Sequence, residues 1–263
     1  MTGNRLWRFV GIRTTALVFF AYLYIPIVIL IALSFNENRT ATIWTGFSTR
    51  WYAVVLANGD ILNAAKNSLI VASAATLIAT MVATAAALGM SRVRFKGQDA
   101  VGGLIALPLV VPEIVTAVAT LLFFVLIGIR LGLTSLIIAH TVFCVPFAYL
   151  PVRARLEGMD PTLEEAAADL YAAPLATFRR ITLPLLWPGI LSGAMLAFII
   201  SLDDFVISYF VAGAGSTTLP VYIFGMIRIG ITPEVNAVSA MMLVVSILFV
   251  TLSFVVGRIR RTS

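Results

Sequence analysis

Long apolar runs that carry almost no charge, separated by short clusters of arginine and lysine, set the terms on which this chain can fold. In order they cover residues 14–35, 67–91, 100–129, 131–152, 185–211 and 235–257. Each lies near the ~20 residues that an α-helix needs to cross a bilayer's hydrocarbon core. Water does not reach that core, so each run must satisfy its backbone internally, as a helix. Only 11% of the 263 residues are charged, against about 25% in a soluble domain, and the mean hydropathy is +1.03. The sequence therefore predicts an all-α, polytopic membrane protein with six transmembrane helices, formed as a single domain over residues 1–263.

Arg5, Arg8 and Arg13 precede the first run, which exceeds the roughly 7–15 apolar residues of a signal-peptide core. No small-residue cleavage site follows it, so it is read as an uncleaved first span that tolerates Pro26. Lys/Arg placement then orients the chain. Arg92, Arg94, Lys96, Arg153, Arg155, Arg179, Arg180, Arg258, Arg260 and Arg261 fall on the side of the N-terminal arginines. Only Arg39, Arg50, Lys66, Arg130 and Arg228 fall on the other. Both termini are expected to be cytoplasmic, and the +6 net charge reflects orientation in a bilayer rather than nucleic-acid binding. The outer segments 36–66, with Trp44, Trp51 and Tyr52 as interfacial anchors, and 212–234, partly re-entrant, are read as exposed loops. In the second run Ala75, Ala79, Ala83 and Ala87 recur every four residues, a spacing that lets helices approach closely.

The longest charged stretch, about 153–184, joins the fourth and fifth spans. Pro161 suits a first helical position, Asp160 or Thr162 can cap, and Glu165 lies in capping-box register with Thr162. Leu163, Ala166, Ala167, Leu170 and Tyr171 then form one apolar stripe, while Glu164 and Asp169 point elsewhere. Pro174 biases Ala173 away from helix and is expected to end the segment. An interfacial helix usually carries Lys and Arg toward anionic lipid. Glu164, Glu165 and Asp169 make this one a poor lipid binder and a better fit to a groove on a partner protein.

Glu165-Ala166-Ala167, followed by Ile181-Thr182-Leu183-Pro184, resembles the EAA loop of ABC-importer membrane subunits. The resemblance implies that Leu163, Glu165, Ala166, Ala167, Leu170 and Tyr171 couple the chain to an ATP-hydrolysing partner. In one departure, Tyr171 stands where that family usually has Gly, and a left-handed turn is costly for Tyr. Ala21-Tyr22-Leu23-Tyr24-Ile25-Pro26, Ser34-Phe35-Asn36, Ser201-Leu202-Asp203-Asp204-Phe205 and Thr232-Pro233-Glu234-Val235-Asn236-Ala237 resemble the spermidine/putrescine permease branch. That branch implies a bacterial inner-membrane location, two copies of an ATP-binding subunit, a second permease subunit, as a heterodimer, and an external polyamine-binding protein. The residues themselves leave homo- and heterodimeric pairing open. ATP and Mg would be used by the partner ATPase. This chain is not expected to be an enzyme or to hold a cofactor of its own.

Charges inside a membrane cost about 2.5–3.5 kcal/mol each on insertion scales and commonly mark function. Glu113, before which Pro108 and Pro112 are expected to break the helix, and the Asp203–Asp204 pair are the candidate substrate pathway, with no Lys or Arg within the spans to neutralise them. Neighbouring helical residues point about 100° apart, so one Asp can line a pathway while the other pairs with a neighbouring helix or caps a break. His140, the only histidine, is read as hydrogen-bonded packing. Gly213-Ala214-Gly215-Ser216-Thr217-Thr218 lacks the lysine of a phosphate loop, and no catalytic constellation or metal cluster stands out. The competing readings are an ion-coupled secondary transporter using the three carboxylates as a proton relay, and an ABC permease for another solute such as ferric iron.

Overall fold

A computed structural model describes residues 10–40, 43–230 and 232–259 of the chain. Arg5, Arg8, Arg260 and Arg261, and the side chain of Arg258, lie outside the described residues. Apart from an isolated bridge between Asn36 and Phe47, the regular structure described is helical. In chain order it comprises α1 (Val10–Ser34), α2 (Arg50–Ala57), α3 (Gly59–Arg92), α4 (Gln98–Val110), α5 (Glu113–Leu126), α6 (Leu133–Glu157), α7 (Thr162–Asp169), α8 (Pro174–Thr177), α9 (Leu183–Asp203), α10 (Val206–Val211), α11 (Leu219–Ile229) and α12 (Pro233–Ile259). A π-helical turn, Phe178–Thr182, joins α8 to α9.

Four helical stretches are long and apolar enough to cross a membrane: Gly11–Ser34, Gly59–Arg92, Leu133–Glu157 and Pro174–Asp203. The run 100–129, with its expected break at the prolines before Glu113, is split into α4 and α5, bent by 110° across Val111 and Pro112. Counted as one broken span, that pair makes five. α12 runs from Pro233 to Ile259, and Pro233–Phe249 is the apolar part of it among the described residues. The chain is thus an all-α, polytopic membrane protein with four or five long apolar helices among the described residues.

Two expected loops contain helix. Residues 36–66 hold α2 and the first two turns of α3, because Asn58 accepts from the backbone N–H groups of Asp60 (3.0 Å) and Ile61 (3.4 Å) and starts α3 early. Residues 212–234 contain α11. Trp51 is not a surface anchor: it is buried, and its indole Nε1–H donates to the Asn36 carbonyl at 2.7 Å.

The chain divides into two compact units: the described residues up to Leu62 with Ile223–Ile247, and Asn63–Tyr222 with the described residues from Leu248. In the first, Asn36 is fully buried. Its amide donates to the Ile43 carbonyl (2.7 Å) and accepts from the Thr45 N–H (3.2 Å), and the Phe35 and Phe47 rings stack at 5.2 Å.

In the second unit α6 and α9 form the tightest helix pair. Gly189, Gly193 and Ala197 recur every four residues along α9, a small-residue seam of the kind that brings membrane helices together. A Cβ built on Gly193 would sit 2.5 Å from the Ala148 carbonyl oxygen, and one on Gly189 2.6 Å from the Arg155 Cβ. Against this pair pack Ala79, Ala83 and Ala87 of α3, in one cluster with Cys144, Ala148, Tyr149, Val152, Leu186 and Ala197. The four-residue alanine repeat is therefore a packing face.

Gly193→Ala should force α6 and α9 apart and lower stability in detergent by about 1–3 kcal/mol, the usual cost of overpacking. Gly225→Ala, with nothing within 4 Å of its added Cβ, should be tolerated. Thermal unfolding of the two variants decides this; equal melting would contradict the seam.

Candidate functional site

The first candidate site is built on two interruptions of apolar helix. α9 ends at Asp203, and α10 begins three residues later at Val206. The backbone freed by this break is recovered by Asp204, whose Oδ1 accepts from the Ile207 N–H at 3.3 Å and Oδ2 from the Ser208 N–H at 2.9 Å. Such a carboxylate at the start of a helix satisfies donors that have no intrahelical partner. The same Oδ2 lies 3.3 Å from Nε2 of His140 on α6. That Nε2 is 3.1 Å from the Ser208 hydroxyl, and Nδ1 is 2.8 Å from the Ser201 hydroxyl on α9. A proton on Nε2, with Nδ1 accepting from Ser201, satisfies the neutral ring. His140, Ser201, Asp204 and Ser208 are all buried, so one imidazole ties α6 to both sides of the break.

The second interruption brings Glu113 to the same place. Pro112, with φ −54° and ψ 133°, turns the chain into α5, whose first residue is Glu113. The half-buried Glu113 side chain comes within hydrogen-bonding reach of Asp204. Asp203, by contrast, is exposed. The three predicted pathway carboxylates are therefore not equivalent: Glu113 and Asp204 meet, and Asp203 stands apart. His140, read from the sequence as hydrogen-bonded packing, is buried and hydrogen-bonded to Ser201 and Ser208; nothing in the linear order signals that it also faces Asp204.

The second candidate site is α7. Asp160 supplies its cap, accepting from the Thr162 N–H at 3.0 Å, and that hydrogen bond holds the Asp160 carboxyl below its ordinary pKa. The helix ends at Asp169, before the stop expected at Pro174, which instead opens α8. Its end is a left-handed turn. The Ala172 N–H donates to the Ala167 carbonyl (3.0 Å) and the Tyr171 N–H to the Ala168 carbonyl (2.9 Å), the two bonds of a Schellman motif. Tyr171 takes φ +57°, a conformation that costs a side chain such as this roughly 1–2 kcal/mol. It is the only non-glycine residue with positive φ among those described.

The stripe expected on α7 divides. Ala167 is buried, whereas Leu163, Ala166, Leu170 and Tyr171 are exposed, Tyr171 to 97%. Glu165 is exposed as well. Glu164 faces the chain itself, its Oε1 bonded to Arg92 of α3 and to the hydroxyl of Thr182. Glu165 and most of the apolar side chains thus face outward, whereas Glu164, counted from the sequence among the acidic groups favouring a partner groove, bonds the chain itself.

The family model for the binding-protein-dependent transport system inner membrane component matches residues 79–262. The spermidine/putrescine transport system permease protein PotC of Haemophilus influenzae is 43% identical over 241 residues, 92% of this chain and 94% of that protein. The putrescine transport system permease protein PotI of Escherichia coli K12 is 39% identical over 244 residues, 90% of this chain and 85% of that protein. Among solved structures, a bacterial ABC transporter involved in import of the acidic polysaccharide alginate superposes with a TM-score of 0.69 over 98% of each chain at 18% identity. The MetNI methionine ABC transporter superposes at 0.65 over 75% of this chain and 94% of that one, at 19% identity. These structural likenesses concern the fold.

Asp204→Ala should remove the cap on α10 and leave the His140 ring short of a partner. A loss of about 1–3 kcal/mol in stability is expected for such orphaned buried groups. Asp203→Ala removes the same charge one residue away and should stay within about 0.5 kcal/mol of wild type, as ordinary exposed substitutions do. Thermal unfolding of the two purified variants checks this, and equal losses would show that Asp204 is not holding the break.

Proposed function

Since the chain belongs to the family of binding-protein-dependent transport system inner membrane components, we propose that it is the ABC-importer permease subunit that carries spermidine or putrescine into the cytoplasm. The observation that carries this cargo is the 43% identity, over 92% of the chain, to a spermidine/putrescine permease. The chain is a multi-pass inner-membrane protein, and ATP hydrolysis belongs to a separate subunit. Its assembly in this reading comprises two copies of that ATPase, a second permease subunit in a heterodimer, and an external polyamine-binding protein. Residues 1–263 act as one permease domain with six spans, α4 and α5 forming the third and α12 the last, and both termini cytoplasmic. Charge bias supports this orientation, which puts α7 on the side where ATP is available.

Alternating access then follows from the parts. ATP binding closes the ATPases, and Glu165, Leu163 and Ala166 on α7, with Leu170 and Tyr171 in the turn that ends it, carry that motion to the spans, Ala167 being the buried seat of the helix. A polyamine is a chain of ammonium groups on an apolar backbone, and each ammonium leaves water only if other groups replace its hydration. Asp203 and Glu113 supply opposite charge along its path, Asp203 as an exposed carboxylate, while Asp204, the third carboxylate, holds the helix break behind them. The Phe205 and Tyr209 rings, 5.4 Å apart, provide aromatic faces beside it for cation–π contact.

The test is uptake by proteoliposomes holding the full complex. Spermidine or putrescine uptake should require both internal ATP and the binding protein. Asp203→Asn and Glu113→Gln should cut uptake by about tenfold or more, as loss of a desolvated charge contact does, while the ATPase still co-purifies. Leu170→Asp should release the ATPase. Uptake driven by an ion gradient without ATP, or of ferric iron in place of polyamine, would contradict the reading.

A further inference from the structure

Glu164 sits on the docking helix yet is turned away from any partner. Its Oε1 accepts from the Thr182 hydroxyl and from Arg92 Nη2, and that same Nη2 lies 3.2 Å from the Thr182 Oγ1. The three groups close a triangle whose corners belong to three elements. Arg92 is the last residue of α3, where a cation also complements the helix dipole. Thr182 is fully buried at the end of the π-helical turn, immediately ahead of α9. Glu164 lies in the first turn of α7. Through one carboxylate, α7 is therefore fastened to the ends of two of the long apolar helices at once.

An isolated ion pair as exposed as this one, with side chains 45% and 36% accessible, contributes little to stability. The triangle differs in its buried corner. The Thr182 hydroxyl fixes the carboxylate from within, and charge-assisted bonds to it have narrow geometry. A π-helical turn beside it is a local departure from α geometry of the kind found at functional positions. Coupling between distant sites needs a physical connection that moves as a unit, and a three-cornered contact transmits displacement in more than one direction where a single contact would pivot.

From this geometry we infer that Glu164 is a positioning residue for transport: it converts displacement of α7 into concerted movement of α3 and α9. It has no part in holding the ATPase, which falls to the exposed face of the same helix. The inference rests on the reading of α7 as the ATPase dock, and the experiment separates the two.

The full complex is prepared with Glu164→Gln, with Arg92→Gln, with the exchange Arg92→Glu/Glu164→Arg, and with Thr182→Val, which keeps the shape of the buried side chain and removes its hydroxyl. Three quantities are read: ATPase retained on purification, ATP hydrolysed, and polyamine imported per ATP. Glu164→Gln, Arg92→Gln and Thr182→Val should keep the ATPase and continue to hydrolyse ATP, while import per ATP falls about tenfold, within the range of ordinary coupling energies between sites. The charge exchange should restore most of the ratio. Wild-type import per ATP in the three single variants overturns the inference, as does loss of the ATPase in Glu164→Gln or failure of the exchange to recover. Leu170→Asp serves as the control: if it retains the ATPase and full uptake, the docking reading falls, and this inference falls with it.

Discussion

In a bilayer's hydrocarbon core a backbone N–H or C=O group has no water to bond, so wherever a spanning helix is interrupted the protein itself must satisfy the freed groups. The site of this permease is organised by that constraint. α9 stops at Asp203, and the first N–H groups beyond the break are taken by the Asp204 carboxylate. A carboxylate so deeply buried is itself expensive, and His140 of α6 shares its load while binding serines on either side of the gap. The α6–α9 pair supplies the frame, its backbones drawn together by Gly189 and Gly193. Satisfying the break and placing ionisable groups in an apolar region are thus accomplished by the same residues, with Glu113 brought in by the second interruption at Pro112.

The adjacent aspartates divide the work. Asp204 is committed to the protein, through its backbone bonds and His140, whereas Asp203 is exposed. A binding group for a transported cation has to release it again, and a carboxylate already engaged by several donors is a weaker and more rigid acceptor than a free one. The same separation of tasks recurs on α7, where Glu165 and the exposed apolar side chains face outward and Glu164 faces the chain. There the strained Tyr171 turn holds a large ring out into solvent, which is compatible with a contact surface and gives the isolated chain no packing benefit.

Much of this was legible in the sequence because it rests on local chemistry. Runs of apolar residues marked the long helices, Pro108 and Pro112 the broken one, and the four-residue alanine repeat the packing face of α3. Asp160 and Pro161 announced α7. The end of α7 was placed too late, at Pro174, because its one signal, Tyr171 at a position where the family usually has Gly, pointed to a turn that is costly for Tyr; the hydrogen bonds of Ala172 and Tyr171 show that the turn is made. The early start of α3 was missed for a similar reason, since Asn58 reads equally as turn or cap. The glycine seam of α9 had a sequence signature, Gly189-x-x-x-Gly193, hidden within an apolar run. The partners of His140 and Glu164 were not legible at all: His140 lies 61 and 68 residues from the serines it meets, and Glu164 lies 72 from Arg92, and such proximity arises only from the fold.

The central claim, that Asp203 faces the transported cation while the Asp204–His140 cluster is sealed within the protein, can be measured by cysteine accessibility. With Cys144 replaced by Ser, a cysteine is placed at 203 or at 208 in the full complex and exposed to a positively charged, membrane-impermeant thiol reagent. The account predicts that the cysteine at 203 reacts and that spermidine slows the reaction, while the cysteine at 208 remains unmodified. Equal labelling at both positions, or labelling at 208 alone, would contradict it.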